Sequence, residues 1–393
     1  MKKLLLAVIV SLSSLTTVAL AEIKVGIILG FTGPIESLTP AMRDGAKLAF
    51  EEASNSGNLL GGERFKILEA DSTCVDAAAA TAAAEGLVAD GVVAIMGADC
   101  SGVTKAINAS VAVPNGIMMV SPSATSPALS SVPDNGTFWR TAPSDAKGGQ
   151  ILAQIALDRG LTSVAITYEN SDYGKGLSEV FAAAFAAGGG TVTTNDPHEN
   201  GKGDYSAEVG VLASAGGDAL AVLGYLDQAG GKIVQGALDS GAFDLFVLGD
   251  GMIGQALVDN IGSDLEGSFG SVPGSTSKGA TKFNDLAASK GMDGTAPYVA
   301  QSYDAAALIA LAIQAGGSAD KMSILTNIKS IANAPGIKIM PGQLSYGLQM
   351  LAAGKAIDYD GATDVEFNAF GDAYGAFLEQ EVSGGSFNTV QQR

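Results

Sequence analysis

Hydroxyl groups and turn residues placed directly after apolar runs are where this sequence could do chemistry. Gly97-Ala98-Asp99-Cys100-Ser101-Gly102-Val103-Thr104 follows the run Val92–Met96, and Ser121-Pro122-Ser123-Ala124-Thr125-Ser126-Pro127 follows Ile117–Val120. A helix that starts after a strand turns backbone N–H groups toward an anion. Ser101 therefore either caps its helix or donates its hydroxyl to a ligand. The Ser/Pro segment reads as a plain turn or as a rigid cradle of hydroxyls and N–H groups suited to a carboxylate. Covalent and metal chemistry find less support. The one histidine, His198, lies in Asp196-Pro197-His198-Glu199-Asn200, read as a solvated polar loop, so a Ser–His pair or a His-based metal site is hard to build. Gly-x-x-x-x-Gly-Lys-[Ser/Thr], Gly-x-Ser-x-Gly and His-Glu-x-x-His are absent from the sequence, and Gly30-Phe31-Thr32-Gly33 after the first strand is not Gly-x-Gly-x-x-Gly. In Asp358-Tyr359-Asp360-Gly361 the glycine comes one position after the second acid rather than three, which fits a turn and not a calcium loop. No catalytic residue, metal or cofactor is expected.

The balance of charge excludes another class. Across 393 residues, 22 are basic and 41 acidic, a net charge of −19, which argues against a nucleic-acid partner because such a partner needs a basic face. The chain opens with Met1-Lys2-Lys3, an apolar run Leu4–Leu12, and Ala19-Leu20-Ala21. That is the three-part pattern of a secretory signal peptide cleaved after Ala21, with an uncleaved membrane anchor as the alternative. Residue 22 is Glu rather than Cys, so lipid attachment there is not available, and loss of Lys2 and Lys3 takes the net charge from −19 to −21. A soluble protein of the periplasm is expected. Cys74 and Cys100 stand 26 apart beside predicted strand ends, and an oxidising compartment would join them in a structural disulfide. Free thiols are the alternative, with no nearby His or Cys-x-x-Cys to activate them.

The elements that must carry these residues alternate. Ile23–Leu29, Phe65–Glu69, Val92–Met96 and Ile117–Val120 read as strands, with helices over Pro40–Ser54 and Val75–Ala89. After Trp139–Pro143 a second series begins, with strands at Ser163–Thr167, Gly190–Thr194, Ala219–Leu223 and Leu245–Leu248. Helices at Asp145–Arg159, Tyr173–Ala187, Tyr205–Ala215 and Ala229–Ser240 alternate with them. Gly267–Gly274 reads as another crossing, then helices over Lys278–Lys290, Pro297–Ala315 and Ala319–Ile331, then short extended stretches from Ala356. Near-continuous Val/Ile/Leu runs belong to parallel strands covered on both faces. The length fits two domains of roughly 100–200 residues each, so the fold class is α/β, two doubly wound parallel-sheet lobes.

Several stretches resemble the branched-chain amino-acid binding proteins of ABC importers, the leucine/isoleucine/valine-binding group of type I periplasmic receptors. They are Ile23–Val25 leading into Phe31-Thr32-Gly33-Pro34, Asp44-Gly45-Ala46, Gly97–Ser101, Ser121–Leu129, Phe138–Asp145, Tyr173-Gly174-Lys175-Gly176, and Pro297-Tyr298 through Tyr303-Asp304-Ala305. The resemblance spans essentially the whole mature chain. It implies a three-crossing hinge near Thr141–Pro143, Phe269–Pro273 and Phe370–Gly375, with residues 22–141 plus 271–371 in the first lobe and 142–270 plus 372–393 in the second. It implies that Ser101, Ser123 and Thr125 hold the α-carboxylate of an amino acid, and that Asp250 meets its ammonium from the other lobe. An ammonium taken from water needs such a charged partner. Tyr173 and Tyr225 match aromatic cleft positions, with half-buried packing as the alternative.

One departure concerns the side chain of the ligand. Asp99 stands beside Cys100 where leucine-type members carry an apolar pocket residue, and Leu38 stands where a larger aromatic is common. A carboxylate in that pocket suits a polar or cationic ligand; turned away, it leaves the aliphatic reading intact. The expected partners are a free amino acid and the membrane subunits of an importer, with the receptor itself a monomer. A receptor for an amide, urea or aromatic acid, in import or signalling, is the alternative; an exported hydrolase is a remote one.

Overall fold

The computed structural model describes residues 22–393; the signal peptide expected at 1–21 lies outside them. In chain order the first strands are β1 (Glu22–Leu29), β2 (Arg64–Asp71), β3 (Ala94–Gly97), β4 (Met118–Ser121) and β5 (Phe138–Pro143). Then come β6 (Ser163–Glu169), β7 (Thr191–His198), β8 (Ala219–Leu223), β9 (Phe246–Leu248) and β10 (Phe269–Pro273). The chain ends with β11 (Ile337–Ile339), β12 (Ile357–Tyr359), β13 (Asp372–Ala373), β14 (Phe377–Ser383) and β15 (Ser386–Gln392).

Two large sheets result. The first, of six strands, runs β13-β5-β4-β3-β1-β2 and is parallel throughout. The second, of seven strands, runs β15-β14-β10-β9-β8-β6-β7. It is parallel from β10 to β7 and antiparallel where β14 and β15 join its edge. In both sheets the order reverses between the first and third strands of the series, β1/β3 in one and β6/β8 in the other. Ligands of parallel α/β sheets sit beyond the carboxyl ends of strands at such a reversal. Helices cover both faces, and Val299–Gly316 is buried along almost its whole length against helix Thr39–Asn55. Gly45 of helix Thr39–Asn55 permits that approach, with the Val299 carbonyl oxygen 2.6 Å from where a Cβ would stand.

Two of the three expected lobe boundaries fall inside strands. Position 141/142 lies inside β5, 270/271 inside β10, and 371/372 at the start of β13. Each strand series found in the sequence is present, with ends within two residues of those expected except in β7, which runs four residues further, to His198. Helix Leu344–Ala352 and strand β11 lie outside the elements expected from the sequence, while β12 falls in the extended stretches expected from Ala356. Lys338 of β11 reaches both carboxylate oxygens of Asp360 at 2.8 Å, so a lysine supplies the cation to this acidic turn. Cys74 and Cys100 form the disulfide, with Cα atoms 5.1 Å apart.

His198 corrects the sequence reading. Instead of a solvated loop, it ends strand β7, is 1% exposed, and its Nδ1 lies 2.8 Å from the Thr167 hydroxyl. Polar residues and Pro197 disguise the strand because β7 is an edge strand, where proline is tolerated and one face need not be apolar. No helix among the described residues is long and apolar enough to cross a membrane.

Candidate functional site: the seam between the lobes

The loops after β3 and β4 are stitched into one rigid surface. The Ser121 hydroxyl donates to the Ala98 carbonyl at 2.5 Å and accepts from Ala124 N at 2.9 Å. Ser123 donates its hydroxyl to the Asp99 carbonyl at 3.0 Å, and Ser101 Oγ accepts from Ser126 N at 3.1 Å. Arg140, fully buried in β5, anchors the Ser/Pro loop from below. Its Nε pairs with Asp372 at 2.7 Å, and Nη1 donates to the carbonyls of Ala124 and Ser126, both at 2.9 Å. With those carbonyls drawn downward, the Thr125 side chain is left at the seam. Its hydroxyl is buried and has no hydrogen-bond partner among the described residues. A buried hydroxyl without a partner costs roughly 1–3 kcal/mol, so it marks a place where a ligand atom is wanted.

Asp99 turns into the framework. Its carboxylate accepts from Gly30 N at 2.5 Å, the Ser72 hydroxyl at 2.9 Å and Cys100 N at 3.0 Å, tying together the ends of β1, β2 and β3. Burial pushes its carboxyl up, against the downward pull of those donors. Leu38 is 8% exposed and packs across the seam toward Gly254.

The opposite wall carries acids and tyrosines. Asp250 follows β9 in a short turn Asp250–Met252 and is 6% exposed. Tyr173 donates to its Oδ1 at 2.5 Å, and the hydroxyl of Tyr298, from the first lobe, donates to Oδ2. Burial raises the Asp250 carboxyl; the two tyrosine hydroxyls pull it back down. Tyr173 and Tyr225 stack with ring centroids 4.9 Å apart and planes 15° from parallel. Burial, then the negative charges around them, push all three tyrosines well above their ordinary range, so they remain donors.

Two residues close to Asp250 escaped the sequence reading as site residues. Asp145, 1% exposed at the start of helix Asp145–Asp158, has a buried Oδ2 with no hydrogen-bond partner among the described residues. Burial, and then the charge of Asp250, push its carboxyl well above the usual range, against the downward pull of the neighbouring Thr125 hydroxyl and the charge of Arg140. It looks like an ordinary first-turn acid after the Ser144 cap, and nothing local distinguishes it. Tyr298 precedes helix Val299–Gly316 with φ of 63°, a left-handed conformation uncommon for a residue with a side chain. No basic side chain is bonded to Asp250 or Asp145 among the described residues, while the buried Arg140 is paired with Asp372.

The seam is thus a donor-rich surface facing two buried acids, closed by contacts between lobes. Comparison with known proteins agrees with that architecture. Residues 22–346 match the family described as periplasmic binding protein. The chain is similar to Leu/Ile/Val-binding protein homolog 1 of Brucella melitensis biotype 1, with 30% identity over 336 residues, 84% of this chain and 87% of that protein. It is also similar to the crystal structure of the leucine binding protein LivK of Thermotoga maritima MSB8, with a TM-score of 0.78 and 25% identity, covering 94% of this chain and 98% of that one. A solute binding protein of an R. palustris ABC transporter in complex with benzoate shares the fold, with a TM-score of 0.76 at 16% identity over 95% and 96% of the two chains. Two parallel-sheet lobes meeting at their switch points, and a match that runs through both, place this chain in the periplasmic binding protein family.

Proposed function

We propose that this protein captures a free amino acid, branched-chain or otherwise hydrophobic, between its lobes and delivers it to an ABC importer. The observation that carries the reading is Asp250: a buried carboxylate facing the seam, bonded to two tyrosine hydroxyls and, among the described residues, to no basic side chain. Hydroxyl donors orient an acid but do not neutralise it, whereas an α-ammonium does both. Asp145 stands beside it as a second acid. The Thr125 hydroxyl, which lies beside Asp145, the Ser101 hydroxyl and the Ser123 backbone offer donors to the α-carboxylate. Cys100 and Leu38 border the side-chain end, and the inward turn of Asp99 favours an aliphatic group there over a cationic one.

Binding needs no chemistry beyond this, and the protein acts as a receptor rather than an enzyme. The first lobe takes the carboxylate in the open form; closure then brings Asp250 and the tyrosines over the ligand. Closure removes water from the charge-assisted bonds, strengthening them, and creates a surface that membrane subunits can recognise. The family implies the periplasm, reached with the signal peptide cleaved after Ala21, and the receptor works as a monomer.

A thermal-shift panel on refolded, ligand-stripped protein tests the assignment. A ligand at a hundredfold its dissociation constant adds about 2.7 kcal/mol of stability. Shifts with leucine, isoleucine and valine support the reading. Shifts only with amides, urea or aromatic acids such as benzoate, which lack the positive nitrogen, overturn it.

A further inference from the structure

We propose that the contact between Ser126 and Gly176 couples occupancy of the carboxylate cradle to closure of the lobes. The inference rests on the reading above and adds to it the residues that transmit the signal. Ser126 faces both ways. Its backbone N–H donates to Ser101 Oγ at 3.1 Å, on the cradle side, and its hydroxyl donates to the Asp172 carbonyl at 2.8 Å, in the other lobe. Asp172 opens helix Asp172–Ala187 and is followed by Tyr173, which holds Asp250. Ser101, Ser126, Asp172, Tyr173 and Asp250 therefore form an unbroken chain of hydrogen bonds and one peptide link from one pole of the site to the other.

Gly176 is what lets the helix come that close. It lies inside the helix with no need of a left-handed backbone, and glycine there weakens a helix relative to alanine. A Cβ on it would stand 2.8 Å from Pro127 Cδ and 3.2 Å from Ser126 Oγ. The first distance is shorter than carbon atoms tolerate, and the proline ring cannot rotate aside. The missing side chain is thus explained by the closed seam and not by the helix. The other flank of the seam is closed by Asp227, which accepts from Ser37 N at 2.8 Å and donates its own N–H to Pro34 O at 3.0 Å.

Gly176→Ala and Ser126→Ala, made in the full mature chain, test the proposal with leucine as the probe. G176A is expected to unfold at no lower temperature than wild type without ligand, yet to bind leucine at least tenfold more weakly. The loss should appear in the dissociation rate, with association little changed, and small-angle scattering should show a larger radius of gyration at saturating leucine than wild type gives. S126A keeps its N–H to Ser101 and should lose about threefold to tenfold, again through faster release. Leucine-binding wild type matched by G176A in affinity, release rate and scattering overturns the contact while leaving the ligand assignment standing. A wild type blind to every amino acid overturns the ligand assignment. In that case a larger radius of gyration for ligand-free G176A than for ligand-free wild type still supports the contact.

Discussion

The Tyr298 hydroxyl of the first lobe donates to Oδ2 of Asp250 in the second, while Tyr173 donates to Oδ1. The acid expected to grip an ammonium is therefore also a point where the lobes hold each other. Closure completes its environment, and opening removes the Tyr298 bond and returns water to it.

Asp250→Ala should weaken amino-acid binding by well over tenfold, since leaving a buried charged group unpaired costs roughly 2–5 kcal/mol. Isothermal titration with leucine measures it. Unchanged affinity would show that the ammonium lies elsewhere.

Thr125→Val separates ligand binding from folding. The Thr125 hydroxyl is buried beside Asp145 and makes no well-formed hydrogen bond among the described residues, so replacing it with a methyl should change the stability of the ligand-free protein little. Leucine affinity should fall by about tenfold, the worth of one charge-assisted bond at roughly 1.5 kcal/mol. Chemical denaturation and titration on the same sample check both halves.

Asp99→Ala is expected to act on the fold and not on ligand choice. It removes the acceptor for Gly30 N, the Ser72 hydroxyl and Cys100 N, and buried donors left unpaired cost about 1–3 kcal/mol each. Lower stability with an unchanged ranking of amino acids fits this role; a new preference for an acidic ligand would contradict it.

Glu169 makes stability depend on pH. It sits at the end of β6 with His198 as its cross-strand neighbour, and burial raises its carboxyl from 4.5 to about 8. A raised carboxyl favours the protonated folded state. Its contribution is full below the unfolded value and is lost progressively as pH rises to about 8. His198 runs the opposite way, since burial lowers it to about 4 and its contribution is lost as pH falls from 6.5 toward that value. Urea unfolding from pH 5 to 9 should show Glu169→Gln with a flatter profile than wild type and greater relative stability at pH 9. Parallel profiles would show that Glu169 does not titrate with folding.

Reducing the Cys74–Cys100 bond, or replacing both residues with Ser, should cost about 3.5 kcal/mol in the chain-entropy model. A melting temperature unaffected by reductant would contradict this.

Much of the architecture follows from local pattern. The apolar runs of β1, β3, β4, β6 and β8 need burial on both faces, and only parallel sheets covered by helices provide it. The loops carrying Ser101, Thr125 and Asp250 could be found because each follows such a run. Tertiary structure decided what those loops face. Asp145 and Tyr298 have unremarkable neighbours in sequence and acquire a role only because strands far apart in the chain end at one seam. His198 and Asp99 show the same limit in reverse: polar residues in polar surroundings read as solvated or as ligands, yet each is enclosed by the fold. Periodicity reports which residues must leave water; which polar groups are then left facing one another depends on long-range packing, and no local pattern encodes that.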